Sequence, residues 1–92
     1  MMIDFEDFTD AVKKALEYVI GGDEYEKVEK LLSAEGDEFN FNDAGIDSLD
    51  MLDVMYWVSQ RLDKRMPEFH DQTIRSLYDE MCALNNNKTA QE

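Results

Sequence analysis

Ninety-two residues allow one small domain, near the lower end for a core that folds without disulfide or metal staples. The formal charge is −13, with 22 acidic against nine basic residues, which argues against nucleic acid and anionic membrane surfaces and favours partners with basic patches. A single cysteine excludes an intramolecular disulfide, no apolar run approaches membrane-spanning length, and Met1-Met2-Ile3-Asp4-Phe5-Glu6 is acidic where a leader peptide is basic. These features together set the expectation of a cytoplasmic protein, monomeric and without membrane insertion.

The first helix is expected to start at Asp4, a capping residue, with Asp7 in its first turn and Ile3 placed to meet Phe8 as a hydrophobic staple. Phe5, Phe8, Val12, Ala15, Leu16, Val19 and Ile20 recur at helical spacing and mark one buried face, until Gly21-Gly22 ends the element. From Asp23 to Ser33 the positions of Tyr25, Val28, Leu31 and Leu32 predict a short second helix, or at least a helical turn, on the outside of the bundle.

Residues 34–42 read as a loop, since Gly36, Asp37, Asn40 and Asn42 are turn formers, and Phe39 and Phe41 are its expected anchors to the bundle. Asn40, Asn42 and Gly45 fall at calcium-loop spacings, but Ala44 then takes a ligand position and Met51 replaces the bidentate glutamate, so no metal site is expected. Asp43-Ala44-Gly45-Ile46-Asp47-Ser48-Leu49-Asp50 reads as a loop that brings a serine to the first turn of the next helix. Gly45 supplies backbone freedom, and either Asp47 or Ser48 can cap. Met51, Val54, Met55, Val58 and Leu62 form the inward stripe of this helix, which runs to about Asp63. A second stripe, Leu49, Leu52 and Tyr56, lies on a neighbouring face where a core does not need it.

Met66-Pro67 ends that helix, and Glu68-Phe69-His70-Asp71 forms a linker with room for a short helical turn. His70 is the only histidine and has no companions to make a metal set, so it is read as a surface residue. Thr73 is the expected cap of a last helix that turns Ile74, Leu77, Tyr78, Met81, Cys82 and Leu84 inward, with Cys82 a small core residue rather than a nucleophile. Asn85-Asn86-Asn87 is read as the end of the fold, giving a domain over residues 1–84 and a disordered tail over 85–92.

Gly45-Ile46-Asp47-Ser48-Leu49-Asp50 resembles the Asp-Ser-Leu motif of acyl carrier proteins, whose serine receives 4′-phosphopantetheine from coenzyme A. The likeness runs without gaps from about Asp43 to about Leu84, roughly half the chain. Pro67, Ile74 and Leu77 fall where the bacterial fatty-acid carriers have their proline, an isoleucine and the first apolar residue of the last helix. The chain departs from that family in the 23–33 segment, in the cations Arg61, Lys64 and Arg65, and in Trp57, where the family generally has a small residue. Trp57 either closes over the added segment around Tyr25 or is an exposed partner contact, and the packing explanation is the one adopted.

The resemblance implies an all-α fold, a small acyl-carrier-type four-helix bundle with the extra short helix in its first loop. It implies a carrier without chemistry of its own, holding acyl intermediates as thioesters on phosphopantetheine at Ser48 in fatty acid, polyketide or specialised lipid biosynthesis. Asp47, Leu49, Asp50, Leu52, Asp53 and Tyr56 would then meet the phosphopantetheinyl transferase and acyl-loading and acyl-processing enzymes with basic docking patches. Leu52 and Tyr56 would lie near the arm or the mouth of an acyl pocket. A core containing Met51, Met55 and Met81 would serve equally as ordinary packing or as an adaptable shelter. The alternatives are a carrier of aminoacyl cargo and an unmodified acidic helical interaction module in which Ser48 is only a cap.

Overall fold

Asp4, in extended backbone, precedes the first helix, and its carbonyl accepts from Phe8 N–H at 2.9 Å, although its side chain makes no cap bond. The computed structural model describes residues 3–68 and 73–90, with side chains up to Asn85. Among these it is all-α: α1 (Phe5–Val19), α2 (Gly22–Glu35), a 3-10 turn (Gly36–Glu38), α3 (Ser48–Leu62) and α4 (Ile74–Ala90), with a lone bridge between Asn40 and Thr73. The expected all-α bundle is what the chain forms.

Among the described residues the most extensive helix pair is α1 with α3. Phe8, Val12 and Leu16 are buried on α1, and Met51, Val54, Met55 and Val58 on α3, each contributing about 1.5–3 kcal/mol through burial. Ala11 and Ala15, also fully buried, leave room for close approach. Met81 belongs to the same core, as do Ile74 and Leu77, while Cys82 and Leu84 are only half-buried.

Helix α2 is longer than the 23–33 segment expected, with 14 residues from Gly22 to Glu35. Gly21 explains its early start: Ile20 and Gly21 N–H both return to the Leu16 carbonyl, and Gly21, at φ +57°, then turns the chain and gives its own carbonyl to Tyr25 N–H. Val28 and Leu32 are buried and Tyr25 is half-buried, while Leu31 stands exposed, so α2 lays one narrow stripe on the bundle. Leu32 shares a cleft with Phe5 and Thr9, which places the end of α2 back at the start of α1.

Helix α4 runs through Asn85–Asn87, the residues expected to end the fold. Asn85 is not used as a breaker. Its Oδ1 accepts from Arg65 N–H at 3.1 Å and its Nδ2 donates to the carbonyls of Arg65 (3.2 Å) and Met81 (2.8 Å), which fastens the chain after α3 to α4. Thr73 caps α4 as expected, its Oγ1 accepting from Ser76 N–H at 3.1 Å. The remainder of the expected linker, Phe69, His70 and Asp71, lies outside the described residues, as do Gln91 and Glu92 of the expected tail.

The N-terminal segment is tied to α4 by Tyr78, whose hydroxyl donates to the Ile3 carbonyl while its ring meets Phe5 and Phe8 at 5.1 and 5.5 Å. Burial, with Cys82 alongside, raises the Tyr78 phenol above its ordinary value of 10.0. Because the folded value is the higher, stability is fully present below the unfolded value of about 10 and falls as pH rises through the folded one. Tyr78→Phe is expected to cost about 1–3 kcal/mol at neutral pH, leaving the Ile3 carbonyl unpaired. It should also flatten the alkaline limb of a stability profile followed by urea denaturation.

Candidate functional site

The approach to Ser48 is built by buried aromatic anchors. Phe39 and Phe41 are fully buried, with ring centroids 5.1 Å apart and nearly perpendicular planes. The Phe39 carbonyl accepts from Ile74 N–H at 2.8 Å, so the loop is held to the start of α4 by backbone as well as side chains. Between the anchors and the helix the chain coils tightly. Asp43 N–H donates to Asn40 Oδ1, Ala44 N–H to the Asn40 carbonyl, Gly45 N–H to the Asn42 carbonyl and Ile46 N–H to the Phe41 carbonyl, all at 3.0–3.1 Å. Ile46 is buried and sets the loop's last fixed point before the serine.

Gly45 has φ +86°, a conformation that side chains disfavour, although a methyl group there would meet no atom within 4 Å. Gly45→Ala therefore isolates backbone strain. The expected loss is about 1–3 kcal/mol, measured as a lower urea midpoint, without the cavity or clash signature of a core change.

At the helix start the structure decides between the two candidate caps. Asp47, in extended backbone, is the N-cap, and its Oδ1 accepts from Asp50 N–H at 2.8 Å. Ser48 is the first residue of α3 and is exposed, so its hydroxyl is not what closes the helix. It stands at the positive end of the helix dipole, where a phosphate is electrostatically favoured.

The second apolar stripe faces solvent. Leu49, Leu52 and Tyr56 are 73%, 62% and 64% exposed, against 0–4% for Met51, Val54, Met55 and Val58 of the inward stripe, whose last member Leu62 is half-buried. Asp47 and Asp53 are exposed beside it and Asp50 is half-buried. All six expected recognition residues thus lie on the N-cap and the first two to three turns of α3 with Ser48, an apolar strip edged by carboxylates. Exposed large apolar side chains in a continuous row are the part of a soluble surface that calls for a partner. No protein-family model, curated protein or solved structure matches the chain.

Trp57 requires a correction. It packs against Tyr18 of α1, with ring centroids 5.6 Å apart, and not against Tyr25. Tyr25 instead points its hydroxyl to Glu29 on its own helix at 3.4 Å. The half-buried Trp57 also lines a shallow surface cleft with Tyr56, Gln60 and Arg61, so it joins the packing and the exposed face at once. At the far end α3 closes on Asp63 in left-handed backbone, with Lys64 N–H on the Ser59 carbonyl. Arg61 lies in the last turn, where a cation suits the dipole.

A cleft of about 290 Å³ has Ile46 and Asp50 among its walls, and not Leu52 or Tyr56, the residues expected near the mouth of an acyl pocket. It lies where the end of α1, the start of α2, the loop and α3 come together, and no single stretch of sequence carries its signal. Among the described residues no group of three or more His, Cys, Asp and Glu is placed to hold a metal ion, and no helix is long and apolar enough to cross a membrane.

Proposed function

We propose that this chain is a carrier protein that holds acyl intermediates as thioesters on 4′-phosphopantetheine attached to Ser48, in fatty acid, polyketide or specialised lipid biosynthesis in the cytoplasm. The observation that carries this reading is the division of roles at the start of α3. Asp47 makes the cap, which leaves Ser48 an exposed hydroxyl at a positive helix end. The residues present fit the group: the attachment atom is open to a transferase, and the anion formed on it would meet free N–H groups of the first turn. When bound, phosphopantetheine supplies a terminal thiol that holds the acyl group.

The chain's own residues then bind and position. Asp47 fixes the helix start, while Leu49, Leu52 and Tyr56, edged by Asp50 and Asp53, form the contact strip for the transferase and for acyl-loading and acyl-processing enzymes. Basic patches on those enzymes would complement the carboxylates, speed encounter and lose strength as salt rises. The resemblance of Gly45-Ile46-Asp47-Ser48-Leu49-Asp50 to the carrier motif adds to this reading.

The test is intact mass after incubation with a promiscuous phosphopantetheinyl transferase and coenzyme A. Wild type is expected to gain one phosphopantetheinyl group, with adenosine 3′,5′-bisphosphate released, and Ser48→Ala to gain none. A folded wild type that gains nothing with several transferases removes this reading. The exposed Leu49–Leu52–Tyr56 strip also supports a second reading, an unmodified interaction module, and that outcome would leave it standing.

A further inference from the structure

We infer that the outward face of α3 is the docking site for a second copy of this chain, set antiparallel about a two-fold axis at Tyr56 and Trp57. The arrangement is independent of Ser48 and of the carrier reading. The helix carries two outward rows at i, i+4 spacing: Leu49, Asp53, Trp57 and Arg61 in one, Leu52, Tyr56 and Gln60 in the other. Tyr18 of α1 braces the first row through its ring contact with Trp57. Among the described residues, Tyr56, Trp57, Gln60 and Arg61 line the furrow between the rows, a shallow cleft of about 380 Å³. Helices pack by laying a ridge of one into a groove of the other, and the second row is such a ridge beside such a groove. A two-fold axis lets each copy supply both.

The order of charges along the first row selects the occupant. Asp53 stands four residues before Trp57 and Arg61 four after it, each about 6 Å from it along the helix axis. Both are exposed, and among the described residues neither has an ion-pair partner within the chain. A uniformly basic partner suits Asp53 and is repelled by Arg61, and an acidic one does the reverse. A second α3 running antiparallel presents the two charges in reversed order, so each Asp53 meets the other copy's Arg61 and the contact forms twice. The net charge of −13 opposes the encounter, but at about 0.15 M ionic strength charges more than about 8 Å apart are largely screened while contact pairs persist. One face of this 15-residue helix is about 22 Å long and about 10 Å wide, well short of the roughly 800 Å² per partner of a standard interface. The dimer is therefore weak and the dilute chain monomeric. Pairing covers Leu52 and Tyr56, which closes a paired chain to any other protein that would use them.

The experiment is sedimentation velocity of the full chain at about 0.15 M salt, from micromolar to millimolar protein. Wild type is expected to pass reversibly from monomer to dimer. Arg61→Glu and Asp53→Lys should each weaken the dimer about tenfold, because the two-fold axis repeats every like-charge contact. The chain with both exchanges should regain wild-type dimerisation, since its charges have traded places. Tyr56→Ala should abolish the dimer and leave the urea midpoint near wild type, because the side chain is exposed. A wild type that stays monomeric at millimolar concentration overturns the assignment. So does a dimer that Asp53→Lys strengthens while Arg61→Glu weakens it, the pattern of net charge alone. A dimer that the double exchange fails to restore, or that Tyr56→Ala leaves intact, overturns it as well.

Discussion

Phe39→Ala is expected to lower the unfolding free energy by about 3–5 kcal/mol, read as a large drop in the urea midpoint at unchanged slope. The side chain is fully buried, so its removal loses the transfer free energy of an aromatic ring and leaves a cavity. The edge-on contact with Phe41 at 5.1 Å adds about 0.5–1.5 kcal/mol beyond burial. Against the roughly 5–15 kcal/mol that holds a domain of ordinary stability together, such a loss brings the variant close to unfolding. The damage has a definite place. Phe39 bonds Ile74 through its carbonyl and, with Phe41, floors the loop that leads to Ser48. Amide exchange in the variant should therefore accelerate first at Ile74 and Ile46, whose N–H groups are held by the carbonyls of Phe39 and Phe41. A loss below about 1 kcal/mol would mean that the loop collapses into the vacated space and that Phe39 is not an anchor.

The loop anchors and the serine helix were legible because their signals are local. Two phenylalanines in a run of turn formers have no other use, and the spacing Met51, Val54, Met55, Val58 repeats with the helical period. The exposed strip was legible for the complementary reason, since Leu49, Leu52 and Tyr56 form a stripe that the inward face leaves unexplained. What escaped depends on contacts distant in sequence. Asn85 belongs to a residue type that favours turns, yet its amide is bound to Arg65, and that pairing cannot be seen from three successive asparagines. Trp57 meets Tyr18 because the rotation of α3 against α1 sets its neighbour, and the helical period fixes only the face. The extent of α2 was misjudged by one residue at its start, where Gly21 turns the chain at once, and by two at its end, where Ala34 and Glu35 stay helical and Gly36, in left-handed backbone, ends the helix. The cleft between Ile20, Glu24, Ala44 and Asp50 needs four elements in place before it exists.

Ser48→Ala and Asp47→Ala are expected to separate attachment from architecture. Ser48→Ala should abolish phosphopantetheinylation completely and leave stability within about 0.5 kcal/mol of wild type, because alanine is the best helix former and the cap does not use the lost hydroxyl. Asp47→Ala removes the acceptor for Asp50 N–H, 2.8 Å away, and should cost about 0.5–2 kcal/mol, while Ser48 remains open to modification. Asp47→Asn is the informative intermediate. Its carboxamide oxygen keeps the cap bond, so stability should stay near wild type, whereas the missing charge should slow modification if the transferase reads the carboxylate. Added salt would then narrow the gap between Asp47→Asn and wild type, since long-range attraction is screened over about 10 Å at 0.1 M ionic strength. Urea denaturation and a time course of intact mass report both quantities on the same three variants. A Ser48→Ala protein that unfolds far more easily than wild type would show that the hydroxyl serves the fold after all. The free serine at the start of α3 would then cease to argue for a carrier.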